Sequence, residues 1–285
     1  MNFGTLLRLG RVSNIPTVWT NALAGASLAE VAAPGTGFAT GMILAALSLT
    51  LFYEGGMWLN DAVDAEIDAT ERANRPIPNG EISRTTVFAG GFAMLVAGCA
   101  IAYALGTAVL GAAVALGVAI ILYDWLHKHT GLSPVLMGAT RFFSYMLAAL
   151  AVGTFGEPAL LGALGLFAYI IGLTYAAKQE AYDRIGSVWP LAVLALPLLY
   201  VLWLGLVSPT ALVFLAALMG VVAFALHRLF RRAKGDVPKA VVTLIAGICL
   251  YDAALIASTG SLALAFVAAA GFVLTLALQR VASGT

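Results

Sequence analysis

The chain has 285 residues, of which 61% are hydrophobic and 10% charged, with a formal net charge of +1 and a mean hydropathy of +0.97. Those values exclude a soluble enzyme of this length and predict an all-α polytopic membrane protein, with membrane lipid around it. The near-zero net charge argues against nucleic acid as a partner, and the long continuous apolar runs exclude a membrane barrel, whose strands alternate over short segments.

A helix needs ~20 apolar residues to cross a bilayer. In chain order the predicted spans cover residues 13–32, 38–59, 85–106, 108–125, 133–154, 158–177, 187–206, 210–228, 237–257 and 260–280. That makes ten; the third and fourth are closely spaced and one of the last four could be partial or re-entrant, which would leave nine. Cys99 and Cys249 fall inside apolar runs, at no metal-ligand or redox spacing, and read as core residues. With ten alternating spans, all fifteen Lys and Arg residues lie on or close to one face. The opposite loops, near 33–37, 107, 155–158, 207–209 and 258–261, carry none. Basic residues are retained on the cytoplasmic side, so the chain is expected in the inner membrane with both termini and its polar loops facing the cytoplasm. No cleavable signal peptide is visible, because the first span lacks a short apolar core and a small-residue cleavage site.

Three polar islands interrupt this pattern, all on the basic side. The first follows the second span and reads NDAVDAEIDATERANRPIPNGEIS, from Asn60 to Ser83. Asn60, Asp61, Asp64 and Asp68 follow i, i+1, i+4, i+8, which puts three carboxylates along one helical face within reach of a common point. Like charges so placed repel unless a cation sits between them. Mg2+ suits the pattern, since it takes oxygen ligands, keeps several waters and is completed by substrate phosphates. Arg72 and Arg75 follow, and a turn containing Pro76, Pro78, Asn79 and Gly80 holds them near the acids. Arginine offers planar multidentate donors to phosphate, so acids beside arginines describe a diphosphate site.

Tyr123, Asp124, His127, Lys128 and His129 end the fourth span, and Arg141 lies in the fifth. A Lys and an Arg there would neutralise charge developing on a leaving diphosphate, although by itself the island reads first as an interfacial anchor. Tyr175, Lys178, Gln179, Glu180, Asp183 and Arg184 close the sixth span, where Glu180 and Asp183 or Gln179 and Asp183 can share a face. Arg228, Arg231, Arg232, Lys234 and Lys239 read as a plain positive-inside cluster. Two carboxylates fall within apolar runs, where an ionised group normally faces a polar cavity or a partner. Glu54 is placed to line the same cavity as Asn60, and Asp252 to hydrogen-bond a neighbouring helix.

The segment from Asn60 to Ser83 resembles the signature of the UbiA superfamily of intramembrane prenyltransferases, NDxxDxxxD followed by a basic-Pro-x-Pro-x-Gly run. The agreement extends through Arg72, Arg75, Pro76, Pro78, Gly80, Ile82 and Ser83, and the similarity covers most of the chain, including Arg8 and Arg11 before the first span, the element from Tyr123 to Lys128 and the island after Tyr175. The resemblance implies a single domain over 1–285, with nine or ten helices ringed around a central cavity capped by the two motif loops. It also implies transfer of a prenyl group from an allylic diphosphate to a small acceptor, commonly aromatic, with Mg2+ bound by both acidic motifs. One departure stands out. The second motif of the family is DxxxD, whereas here Gln179 stands at its first aspartate, a pattern similar to less typical EboC-like members.

On that resemblance, Asp61, Asp64, Asp68 and Asp183 are the expected metal ligands. Lys128 joins them as a catalytic group, and Asn60, Arg72, Arg75, Tyr123, Arg141, Tyr175, Lys178, Gln179, Glu180 and Glu54 are the expected substrate contacts. The allylic cation would be shielded in an apolar cavity, with Trp58, Tyr123, Phe142, Tyr145 and Tyr175 as candidate π faces, and Asp183 or Glu54 as the base for the last proton. A terpene cyclase on the same scaffold and a non-catalytic carrier of a hydrophobic precursor are the rival readings; the acids of ion-coupled transporters lie near the midplane rather than at one interface.

Overall fold

A computed structural model describes residues 3–32, 37–128, 130–178 and 189–280, and among these there is no β-strand. In chain order the helices are α1 (Phe3–Leu9), α2 (Ile15–Ala32), α3 (Phe38–Val63), α4 (Ala65–Glu71), α5 (Arg84–Leu105), α6 (Thr107–Leu126), α7 (Ser133–Val152), α8 (Glu157–Lys178), α9 (Ala195–Val207), α10 (Thr210–Arg231), α11 (Asp236–Ser258) and α12 (Leu262–Leu278). Eight segments are long and apolar enough to cross a bilayer. Helix α2 falls short because Thr17, Thr20, Asn21, Ser27 and Glu30 dilute it, and α12 has 17 residues. Both nonetheless pack as members of the same helical bundle.

The seventh expected span is broken. A 3-10 segment, Trp189–Leu194, leads into α9, which has only 13 residues. Pro190 and Pro197 explain the break, since each removes a backbone donor and crowds the preceding turn.

Successive spans pack side by side, and α12 returns to α2, closing a ring; α2, α7 and α11 also make contacts across its interior. Helix α11 is the most enclosed, with every residue from Ala246 to Ala257 buried. Close approach in lipid depends on small residues, because burial of apolar surface from lipid provides little drive. Gly55 of α3 and Gly91 of α5 supply it: a Cβ on Gly55 would lie 2.8 Å from the Gly91 carbonyl oxygen. The outer surface carries large apolar side chains such as Val96, Leu206 and Val207, more than two-thirds exposed and suited to lipid.

Candidate active site

The long acidic helix expected from the spacing is interrupted at one residue. Asp64 (φ −77°, ψ −3°) separates α3 from α4, yet hydrogen bonds run on across it, from the Asp64 amide to the Asn60 carbonyl at 2.9 Å and from the Asp68 amide to the Asp64 carbonyl at 2.8 Å. Asn60, Asp61, Asp64 and Asp68 are all between 3% and 7% exposed. Buried carboxylates need cations, and two sets meet them.

Asp61 and Asp68 converge on Arg75, whose Nη1 donates to Asp61 at 2.6 Å and to Asp68 at 3.1 Å. Arg11 adds its Nη2, donating to Asp61 at 3.1 Å and to the Asn60 side-chain oxygen at 3.3 Å. Arg11 adopts a left-handed backbone (φ 43°), unusual for a residue with a side chain, in the connection between α1 and α2. Tyr53 holds it there by donating to its carbonyl at 3.1 Å. Asp64 turns the other way, to Lys128 Nζ at 3.1 Å and His127 Nε2 at 3.4 Å.

Electrostatics follow this geometry. Burial opposes ionisation of Asp64, but hydrogen bonds and charge from His127 and Lys128 outweigh it and hold the carboxyl below its usual range. Burial likewise opposes protonation of His127, and Asp64 reverses that, so the imidazole is held above its ordinary value. Burial, then the neighbouring Arg11, pull the Arg75 guanidinium below its usual value in spite of its two carboxylate partners.

The loop after α4 keeps these groups in register. Gly80 takes a positive φ of 73°, the Glu81 amide donates to the Pro76 carbonyl at 2.9 Å, and Ser83 caps α5 by accepting from the Thr86 amide at 3.1 Å. Glu81 receives bonds from Thr5, Arg8 and Asn79, tying α1 over the loop.

Beside these residues lies a polar mouth of about 610 Å³, lined by Asp64, Arg72, Arg75, Lys128 and Lys178 among others. It shares Arg11, Tyr123 and Thr174 with a more apolar compartment of about 220 Å³, which in turn shares Tyr53, Met57 and Arg141 with a compartment of about 80 Å³. A charged mouth thus opens onto a largely apolar recess, the arrangement an amphipathic substrate requires.

Several expected residues lie elsewhere. Arg141 is about 12 Å along its span at 1.5 Å per residue, donates to Asn21 at 2.7 Å and Thr17 at 3.1 Å, and lines the two inner compartments, with no place among the residues of the polar mouth. Glu54 lies against Gly10, and no wall of these three compartments includes it. Of the five candidate aromatics only Tyr123 lines them. Trp58 packs beside Gly90, Phe142 stacks edge-on with Phe143 and Phe155, and Tyr145 is fully buried, donating to Asp252. Tyr175 packs against the main core. Asp252 also accepts from Asn21 at 2.8 Å, which makes it a bridge between α2, α7 and α11, as its position in an apolar run suggested. His129, Gln179, Glu180, Asp183 and Arg184 lie outside the described residues.

Arg11, Tyr53 and Asp124 were not singled out as site residues. Arg11 and Asp124 carried a signal, as charges at the membrane-facing ends of predicted spans; Tyr53 carried none beyond its neighbour Glu54. Among the described residues no three Asp, Glu, His or Cys side chains are gathered as a ready metal cage. The oxygens of Asp61 and Asp68 nevertheless meet at one cationic nitrogen, and an all-oxygen donor set of this kind fits a hard divalent cation.

Residues 17–246 match the family profile described as UbiA prenyltransferase family. A digeranylgeranylglyceryl phosphate synthase of Methanopyrus kandleri is 30% identical over 160 residues, 56% of this chain and 58% of that protein. The synthase of the same name from Saccharolobus solfataricus is 35% identical over 100 residues, 35% of this chain and 36% of the relative. The chain therefore spans little more than half, or less, of the length of the curated relatives it matches. In three dimensions it is similar to an apo UbiA homologue from Aeropyrum pernix K1, with TM-score 0.66 and 19% identity, over 86% of this chain and 96% of that one. It is also similar to a UbiA homologue from Archaeoglobus fulgidus bound to GPP and Mg2+, with TM-score 0.56 and 15% identity, over 88% and 99%. Identities this low speak for a shared fold.

Proposed function

Because the chain belongs to the UbiA prenyltransferase family, we propose that it transfers a prenyl group from an allylic diphosphate to a small acceptor inside the membrane, with Mg2+ as cofactor. The observation that carries this reading is the convergence of Asp61 and Asp68 on one cationic nitrogen beside a charged mouth that opens into an apolar recess. The bound Mg2+ and GPP of the Archaeoglobus fulgidus homologue support it.

Asp61, Asp64 and Asp68, with Asp183 from the second motif, would hold Mg2+, which when bound supplies Lewis-acid polarisation of the diphosphate. Arg72, Lys128 and Lys178 line the mouth and offer cationic donors to the diphosphate oxygens, so charge developing on the leaving group meets fixed positive groups. Arg75 bridges Asp61 and Asp68 through one nitrogen and would yield that place to the ion. The prenyl tail enters the recess, where Tyr53 and Tyr123 present aromatic faces and apolar walls exclude water from the allylic cation. Basic residues at this end of the spans favour a cytoplasm-facing mouth in the inner membrane.

The acceptor is a small molecule with a nucleophilic ring or hydroxyl. The names of the curated relatives favour a second version of it, a hydroxyl carried by a glyceryl phosphate.

The test is Asp64→Ala in purified, detergent-solubilised protein. Metal-dependent release of diphosphate from geranyl, farnesyl or geranylgeranyl diphosphate should fall at least about 100-fold, the size of a lost electrostatic contact at a reacting centre. Gel filtration should remain unchanged, and retained turnover would refute the assignment.

A further inference from the structure

Capture of an allylic cation by an acceptor leaves a proton to be removed, and the two carboxylates expected for that task are not in a position to be assigned it: Glu54 faces Gly10, and Asp183 lies outside the described residues. A different carboxylate faces the recess. Asp124, in the last turn of α6, is 4% exposed and lines the 80 Å³ compartment. Its Oδ1 accepts from the Asn60 amide at 3.2 Å, while its Oδ2 is buried with no hydrogen-bond partner among the described residues. A buried carboxylate oxygen without a donor is costly, and such exceptions need an explanation. Resting on the proposed transferase reading, we infer that Asp124 is a catalytic residue, the proton acceptor for the second half-reaction.

Three features of the surroundings support the assignment. The Asn60 amide donates to Oδ1, a bond that suits the anionic carboxylate and fixes its orientation. Arg141 lines the same compartment from α7, and among the described residues two of its five N–H groups are engaged, to Asn21 and Thr17, so an oxygen of the acceptor can be held there. Tyr123, the residue before it, lines this compartment, the middle one and the polar mouth, so the turn of α6 that carries Asp124 runs along the path from the mouth to the recess. The other charged groups around it are Arg11, Asp64 and His127.

The step balances. The donor C–O bond breaks with its electron pair on the diphosphate, and an electron pair of the acceptor forms the new bond to the allylic carbon. The acceptor proton passes to Asp124 Oδ2, giving a neutral carboxyl, which then loses that proton to water in the polar mouth.

The test separates transfer from ionisation. Wild-type, Asp124→Asn and Asp124→Glu proteins are incubated with radiolabelled geranylgeranyl diphosphate and Mg2+, with and without a lipid extract of the source membranes plus phenol as acceptors. Diphosphate release and labelled transfer product are measured separately, and donor affinity is measured with the non-hydrolysable thiodiphosphate. If Asp124 takes the proton, Asp124→Asn binds the donor and releases diphosphate within threefold of wild type while labelled product falls about 100-fold, a typical general-base contribution. Asp124→Glu should recover at least a tenth of the transfer. Equal loss of release and transfer in Asp124→Asn would mean that the residue only props Asn60, and undiminished transfer would remove it from the reaction; either overturns the inference while leaving the transferase reading intact. Wild-type release with no transfer product overturns it as well, in favour of a reaction without an acceptor. A wild-type protein that releases no diphosphate from geranyl, farnesyl or geranylgeranyl donors sinks the transferase reading and this inference with it.

Discussion

Arg75 sits with one nitrogen between two buried carboxylates, and that contact balances their charge. Removing the guanidinium leaves Asp61 facing Arg11 alone, and Asp68 with no cationic partner, among the described residues. An uncompensated buried charge costs ~3–5 kcal/mol. Arg75→Ala should therefore unfold at a lower temperature than wild type in metal-free detergent solution, and added Mg2+ should raise its midpoint more than it raises that of wild type, since a ligand stabilises only the state that binds it. Thermal unfolding with and without Mg2+ reads this directly; equal shifts in the two proteins would show that Asp61 and Asp68 are not where the ion binds. The residue types at this site are plain in the sequence, because carboxylates in line beside arginines have no use as membrane anchors. Their pairing is not. Asp64 shares a helical face with Asp61 and Asp68 by spacing, yet its partners, His127 and Lys128, come from a helix end some sixty residues later.

At the scale of elements, α1 is a short helix laid over the motif loop. Leu9 is fully buried with Ala62, Ile82 and Val87, and Glu81 ties the helix down through Thr5 and Arg8. Hydrogen bonds from Thr5, Arg8 and Asn79 lower the Glu81 carboxyl to about 2, against an ordinary 4.5. A carboxylate depressed on folding contributes fully above its unfolded value and loses that contribution as pH falls through the folded one. Docking of α1 should thus be complete at neutral pH and weaken between pH 4.5 and about 2. Glu81→Gln should reproduce the weakening at pH 7. Amide exchange over Phe3–Leu9, corrected for the intrinsic pH dependence, measures both, and unchanged protection in the variant would show that the buried Leu9 alone holds the strap. The broken seventh span belongs to the same scale. Its apolar content predicts a crossing, and Pro190 and Pro197 mark where the crossing cannot be one regular helix.

For the whole molecule, the polar mouth and the basic loops lie at one end of the spans, which makes orientation testable. In a background with Cys99 and Cys249 replaced by Ala, single cysteines introduced at Glu71 and Lys234 should react with a membrane-impermeant maleimide only in inside-out vesicles. A cysteine at Glu157 should react only in right-side-out ones. The reverse pattern would place the mouth on the outer face and contradict the charge rule. The same scale explains what the ring does for the chemistry. Helices α3, α6, α7, α8 and α11 all contribute walls to the three compartments, so the recess is built by several spans together.

The amino-acid sequence by itself determined the solvent, the apolar segments and the acidic motif, because hydropathy and helical spacing are local properties that survive any arrangement of the helices. It also located Arg72, Lys128 and Lys178, whose positions at the ends of spans bring them to one face. Only the tertiary structure decided which carboxylate meets which cation, that Arg141 belongs to the recess and Glu54 does not line it, and that Asp124 lines its wall. Those outcomes depend on how far one helix is rotated and advanced against its neighbours. In a membrane that is decided by close packing of small residues such as Gly55 against Gly91, a contact between segments far apart in the chain that no periodicity along it records.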